Sequence, residues 1–270
     1  MSITLASSSP AGRLWKRYGA WAVITGASDG IGRAFAVELA RAGLNLVLCA
    51  RRGEVLEALA IELCAQGVQT QVVAVDLSTR EGVVTLAQAT RSLDVGLLVA
   101  SAGFGTSGPF LEGTLEHELG MIDVNCRALA ELSHVFGNRF VARKRGGLVL
   151  MSSLVAFQGV PRAANYAATK AYVQSFAEGL RLELAPHGVD VLASAPGPVH
   201  SGFAARASMT MGFAQTPTEV ATSTLAALGK KGTVRPGLLA KLLEFSLQFL
   251  PRWGRVRMMG IVMRGMTRHG

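Results

Sequence analysis

Cysteine is scarce in this chain of 270 residues, with Cys49, Cys64 and Cys126 the whole complement. An odd number, widely spaced and without a C-x-x-C pair, argues against a disulfide framework and a zinc site, so no metal is expected. Cys49 sits in a strand-like apolar run and reads as a packed thiol. Long apolar runs are missing too: none reaches the ~18 uninterrupted residues of a spanning helix. No apolar core follows the first methionine, so no secretory signal is expected and the reading is a cytoplasmic protein. Repeats, low-complexity tracts and linkers are also lacking.

Acidic residues are nearly absent from one end. Residues 230–270 carry nine Lys or Arg against Glu244 alone, whereas the first 229 residues carry 18 against 17. Eight of the nine net positive charges therefore belong to the C-terminal segment. That segment lacks the interleaved small polar residues and stacking aromatics of a nucleic-acid surface, and no nucleic-acid partner is expected.

What is present is a regular alternation of apolar strand and helix patterns. Strands read at Trp21–Thr25, Leu46–Ala50, Gln71–Val75, Gly96–Ala100, Leu148–Met151 and Val189–Ser194, with helical patterns between them. The economical fold is α/β, a doubly wound parallel sheet in one Rossmann-like domain over residues 14–232. Residues 1–13, with Ser7 to Pro10, read as a loose tail. Residues 233–270 read as a basic, amphipathic helical extension.

The first strand runs into a glycine-rich turn, Thr25-Gly26-Ala27-Ser28-Asp29-Gly30-Ile31-Gly32, which opens a helix with apolar Ile31, Phe35 and Leu39. Glycines there let the backbone approach a pyrophosphate resting on amides at the helix N-terminus. Alone, the turn equally suits a tight strand-to-helix connection, and its spacing is G-x-x-x-G-x-G. Further on, Tyr166 and Lys170 stand four residues apart, so both side chains leave one helix face about a turn apart. A cation beside a phenol favours the phenolate and pulls the phenol below its ordinary ~10, toward proton donation near neutrality. Ser153 precedes the tyrosine by 13 positions at the end of a strand-like run. Its neighbour Ser152 is the competing hydroxyl.

Glycine turn, serine, tyrosine and lysine together resemble the short-chain dehydrogenase/reductase family. The likeness runs from about Tyr18 to the C-terminus and takes in Val75-Asp76-Leu77, Val124-Asn125 and Pro196-Gly197-Pro198-Val199. One landmark departs: the family's N-N-A-G turn reads Ala100-Ser101-Ala102-Gly103 here, so altered polar contacts are expected. The runs Tyr18 to Gly32 and Asp94 to Val99, with Leu250-Pro251-Arg252-Trp253 in a basic tail, resemble the branch containing very-long-chain 3-oxoacyl-CoA reductases and 17β-hydroxysteroid dehydrogenases.

The resemblance implies hydride transfer between a nicotinamide and a ketone or secondary alcohol. It implies that Tyr166 gives the proton, Ser153 supports the developing oxyanion, Lys170 holds ribose hydroxyls and Asn125 anchors a water in a proton relay. It implies a cofactor lying against Gly26, Ser28, Asp29, Gly30, Ile31 and Gly32, Asp76 and Leu77, Ser101, Ala102 and Gly103, Tyr166 and Lys170, then Pro196, Gly197 and Val199. Where the second strand ends, Ala50 is followed by Arg51 and Arg52 in place of the carboxylate that binds a 2′-hydroxyl, so NADP(H) is expected. His187 and His200 read as surface or turn residues.

A lipophilic small-molecule substrate, a 3-oxoacyl thioester or steroid-like ketone, follows from Phe203, Met209, Met211 and Phe213, which suit a lid between Pro196 and Pro217. A homo-oligomer, dimer or tetramer, is expected. The basic tail has three readings: pocket cap, subunit contact, or a membrane-surface helix pair broken at Pro251. Two other readings of function stay open, a non-catalytic NADP(H)-binding protein and a membrane-peripheral scaffold.

If Arg51 reads the 2′-phosphate, with Arg52 secondary, losing a charge-assisted contact costs about 1.5–3 kcal/mol. Arg51→Ala should then raise the KM for NADPH about tenfold or more and leave NADH nearly unchanged. Equal use of both cofactors by the native chain, in steady-state kinetics, would refute the assignment.

Overall fold

The computed structural model describes residues 10–202, 214–237 and 250–266. Seven strands make one parallel sheet in the order β3-β2-β1-β4-β5-β6-β7. They are β1 (Trp21–Thr25), β2 (Asn45–Ala50), β3 (Thr70–Ala74), β4 (Val95–Ala100), β5 (Gly146–Met151), β6 (Val189–Ser194) and β7 (Thr233–Val234). The helices are α1 (Pro10–Tyr18), α2 (Gly30–Arg41), α3 (Gly53–Cys64), α4 (Arg80–Ala89), α5 (Leu115–Ile122), α6 (Leu129–Ala142), α7 (Ala164–Leu184), α8 (Pro217–Ala227) and α9 (Arg252–Met266). A π-helical turn, Asp123–Ala128, joins α5 to α6.

The strands read as continuous apolar runs because both faces of the sheet are covered. Side chains alternate between faces: Ala22 and Ile24 of β1 pack with α1, α2, α3 and α8, through Tyr18, Phe35, Leu39, Leu56, Leu63 and Val220. Val23, between them, packs with α4, α6 and α7 through Leu86, Leu132, Phe136, Phe140 and Val173. Each fully buried Leu or Phe contributes about 1.5–3 kcal/mol, so the two apolar layers set the sheet's position between the helices. After β3 the chain crosses back to place β4 on the other side of β1. That reversal leaves a crevice at the carboxyl ends of β1 and β4, where ligands bind in such sheets.

The expected strands are all present, with some ends displaced by one or two residues. Two expectations need correction. The supposed loose tail to residue 13 already contains the start of α1: Pro10 occupies the first helical position, where no N–H is needed. Arg13 donates to the carbonyls of Leu225 (2.9 Å) and Leu228 (3.1 Å), and Tyr18 donates to Asp190 Oδ2 at 2.7 Å. Burial and the carboxylate bond push the Tyr18 phenol far above its usual value, so α1 is fixed to the sheet by a neutral donor. The extension does not begin as helix either, because β7 at Thr233–Val234 completes the sheet against β6. Two residues give no periodicity to read.

The α1–β1 junction crosses β4 with no room to spare. A Cβ on Gly96 would lie 1.2 Å from the Tyr18 carbonyl oxygen. Gly96→Ala should therefore cost about 3 kcal/mol, as overpacking does when backbone has to move, seen as a lower urea midpoint. An unchanged midpoint would show that the junction yields freely.

Candidate active site

A cavity of about 1670 Å³ opens at the carboxyl ends of the strands. This exceeds the ~300–1,000 Å³ of a usual small-molecule site, leaving space for a nucleotide and a second molecule together. Its walls include every residue expected to hold a cofactor, drawn from the glycine turn, from the turns after β2, β3, β4 and β6, and from α7.

The turn after β1 is built on close approach. Gly26 has φ +70°, in the left-handed region, and a Cβ on it would sit 2.9 Å from the backbone of Ala102. Gly32, in the first turn of α2, would bring a Cβ within 2.2 Å of the Gly26 carbonyl oxygen. Asp29 caps α2 by accepting from the Gly30 amide at 2.7 Å. The altered Ala100-Ser101-Ala102-Gly103 turn holds its shape through Thr25, whose buried hydroxyl accepts from the Ala102 amide at 3.0 Å. Asp76 turns its own loop, accepting from the Ser78 amide at 2.9 Å. Arg52 donates to the carbonyl and hydroxyl oxygens of Ser28, both at 3.1 Å, and exposed Arg51 stands beside it on the cavity wall.

Ser153, Tyr166 and Lys170 meet on the cavity wall between β5 and α7. Lys170 Nζ donates to the Met151 carbonyl at 2.8 Å and lies 5.7 Å from the centre of the Tyr166 ring. Ser152, the rival hydroxyl, is buried and donates to the Lys170 carbonyl at 3.1 Å. Ser153 is left for the cavity, where it caps the short 3₁₀ turn Leu154–Phe157 and hydrogen-bonds the tyrosine. The electrostatics correct the sequence expectation of a lowered phenol. Burial disfavours the phenolate and pushes Tyr166 up to about 12, against a lowering by the Ser153 hydrogen bond. The same burial brings the Lys170 amine down to about 8. The nearby Cys126 thiol acts the other way on Lys170, and burial prevails.

Asn125 lies in the π-helical turn, buried, with its amide committed on every side. It donates to the Phe104 carbonyl (2.9 Å) and Thr169 Oγ1 (3.0 Å), and accepts from the Phe104 amide (3.1 Å). The side chain thus braces the loop after β4 against α7. His187 and His200 are exposed and off the cavity.

The far wall was not foreseen residue by residue. It takes Thr114, Leu115, His117 and Leu119 from the α5 region, Leu154, Val155, Phe157 and Gln158 after β5, and Arg255, Met259, Val262, Met263 and Met266 of α9. His117 stacks on Phe104 with ring centres 5.1 Å apart. Met263 is buried with Val160, Ala163 and Ala167 beside Tyr166. Only the i, i+4 spacing of Met259 and Met263 signalled this, inside a segment with three readings; α9 takes the pocket-capping one. The suggested lid residues Phe203, Met209, Met211 and Phe213 lie outside the described residues, as does the half of the helix pair before Pro251 as far as residue 249.

Residues 20–211 match the family model for short chain dehydrogenase. A very-long-chain 3-oxoacyl-CoA reductase of Podospora anserina is 39% identical over 190 residues, 68% of this chain and 56% of that protein. A 7beta-hydroxysteroid dehydrogenase of Clostridium sardiniense is 35% identical over 66% of this chain and 68% of that one. A Homo sapiens protein named inactive hydroxysteroid dehydrogenase-like protein 1 is 36% identical over 68% of this chain and 57% of its own length. The chain therefore spans a little over half the length of the first and third of these relatives. Among solved structures, one from work on 7beta-hydroxysteroid dehydrogenase stereoselectivity gives a TM-score of 0.84 at 29% identity, covering 91% of this chain and 98% of that one. A short-chain dehydrogenase from Sphingobium yanoikuyae in complex with NADPH gives 0.76 at 30% identity, covering 85% and 94%.

The Lys170 amine makes the site's cost depend on pH. Held near 8 where the unfolded value is 10.5, it destabilises the fold fully below pH 8, and the penalty fades as pH rises toward 10.5, because only the unfolded chain then binds the proton. The native chain should thus gain about 3 kcal/mol relative to Lys170→Met across that interval, measured as paired urea midpoints. A pH-independent difference would show that the buried amine keeps its ordinary value.

Proposed function

The chain belongs to the short-chain dehydrogenase family, and from that premise we propose that it is an NADP(H)-dependent oxidoreductase acting on a lipophilic ketone or the matching secondary alcohol. The observation that carries this reading is Ser153 hydrogen-bonded to Tyr166, with Lys170 beneath, on a cavity whose one end is a glycine turn with two arginines and whose other end is lined largely by leucine, valine, phenylalanine and methionine side chains. The cofactor end fits a dinucleotide: side chains are excluded at Gly26 and Gly32, where backbone meets backbone, and the residues directly after β2 are Arg51 and Arg52, with no carboxylate at the position that would repel a 2′-phosphate. Arg51 and Arg52 would hold that phosphate, and Lys170 the ribose.

When bound, the nicotinamide supplies or accepts the hydride. The chain's own residues manage the oxygen. Tyr166, kept protonated by burial at neutral pH, donates a hydrogen bond to the substrate carbonyl and then its proton as negative charge gathers there. Ser153 gives a second hydrogen bond to the same oxygen, aimed at charge as it develops. Lys170, anchored on Met151, stabilises the resulting phenolate at close range. The methionines of α9 and Val155 and Phe157 exclude water from the reacting end, and flexible thioethers accept varied apolar shapes. A 3-oxoacyl thioester or steroid-like ketone suits this lining and agrees with the names of the relatives. Exposed Leu115, Leu119 and Ile122 of α5, with Leu182 and the stacked Tyr172 and Phe176 of α7, support a homo-oligomer, dimer or tetramer, formed through those helices.

One observation favours a second reading, a non-catalytic NADP(H)-binding protein: the likeness to a relative named inactive. Turnover separates the two. NADPH oxidation should proceed with a panel of lipophilic ketones and 3-oxoacyl thioesters. Tyr166→Phe should lower the rate by at least ~10²-fold, the loss of a positioned proton donor, while leaving NADPH binding by fluorescence nearly intact. A Tyr166→Phe enzyme as fast as the native one would remove Tyr166 from the chemistry.

A further inference from the structure

Helix α9 has two faces, and the cavity uses one. Gly260 and Met263 are buried, and a Cβ on Gly260 would come within 3.2 Å of Pro161, so this side lies flat on the segment leading into α7. Turned away from the cavity-lining Met259 and Met266 are Trp253 (65% exposed) and Ile261 (59%), while Met258 (45%) stands on the helix flank. Arg257 and Arg264 are exposed beside them, Arg252 is exposed at the helix start, and α9 contains no acid. Trp253, Arg257, Ile261 and Arg264 follow at steps of four, four and three, forming one ridge of alternating apolar and cationic groups. The Arg257 guanidinium lies over the Trp253 ring at 5.4 Å.

We infer that this outer face of α9 docks on an anionic lipid surface. Trp253 and Ile261 stand exposed on one ridge, each beside an arginine. Apolar side chains flanked by arginines, with no carboxylate, are the composition of a helix lying in the headgroup plane. Charge complementarity selects the occupant: Arg257 and Arg264 lie on this ridge, Arg252 is exposed at the helix start, α9 has no acid, and each cation near an anionic bilayer contributes about 1 kcal/mol. The helix lies on the surface and does not cross, since no helix among the described residues is long and apolar enough to span a membrane. Val262 and Met266 link this face to the cavity wall. On the oxidoreductase reading, a lipophilic substrate would enter there from the bilayer; the docking itself is independent of that reading.

The test is sedimentation of the full chain with phosphatidylcholine vesicles, with and without phosphatidylglycerol. Binding is expected only with the anionic lipid, and it should fade with salt as the Debye length falls from ~10 Å at 0.1 M to ~3 Å at 1 M. Arg257→Gln and Arg264→Gln should each weaken vesicle affinity about five-fold, and Ile261→Ser should weaken it at every salt concentration. Circular dichroism melts matching the native chain, read independently of any turnover, show that the variants fold. Absent binding, or binding that these substitutions leave unchanged, overturns the inference. So does a lipid-free dimer, by sedimentation velocity, that the same substitutions dissociate, because the face would then belong to a second copy.

Discussion

The hydrogen bond from Lys170 Nζ to the Met151 carbonyl joins the end of β5 to the second turn of α7, and the reacting end of the cavity depends on it. With that amine seated, Tyr166 one turn earlier on the same helix face comes to Ser153 on the strand-end loop, and Ser152 is turned back to the α7 backbone. An amine this deeply buried is costly to charge, which is why its value drops to about 8. The same lack of water raises the tyrosine and keeps it loaded with a proton. A buried lysine with a carbonyl partner is thus a strain on stability and a source of order in the site.

A second constraint acts at the sheet's reversal point. The turn after β1 and the turn after β4 touch through backbone at Gly26 and Ala102, with Thr25 bonding across. Two turns that close leave backbone, with no bulky side chain between them at Gly26 and Ala102, to shape a phosphate cradle. This explains how the chain keeps the turn although serine and alanine stand where relatives of the family place asparagines. Thr25 and the Ser101 amide bond to Val99 hold the backbone, so the departure alters polar lining more than shape. Asn125 reinforces the same loop from the other side through Phe104.

The C-terminal helix shows how composition can serve two surfaces at once. A segment that is both apolar and basic has no single environment that satisfies every residue. In α9 Met259, Met263 and Met266 turn toward Tyr166 and the cavity, joined by Arg255, while Trp253, Arg257, Ile261 and Arg264 turn outward. The division follows from helical geometry, in which residues three and four apart share a face.

The sequence by itself determined the sheet, since buried parallel strands are continuous apolar runs and helices between them carry their own period. It also put Tyr166 and Lys170 on one helix face through their spacing, and set two candidate hydroxyls, Ser152 and Ser153, at the end of the strand before them. It could not decide what depends on distance in space. The choice between Ser152 and Ser153 rested on which hydroxyl α7 would claim. The direction of the tyrosine's shift rested on burial, which no local pattern records, and spacing alone pointed the wrong way. Pro10 as a helix start, the two-residue β7, the bracing role of Asn125 and the far wall supplied by α9 all came from contacts between segments remote in the chain. Tertiary structure decided them because solvent exclusion and backbone approach are properties of the packed chain, and a linear order of residues does not contain them.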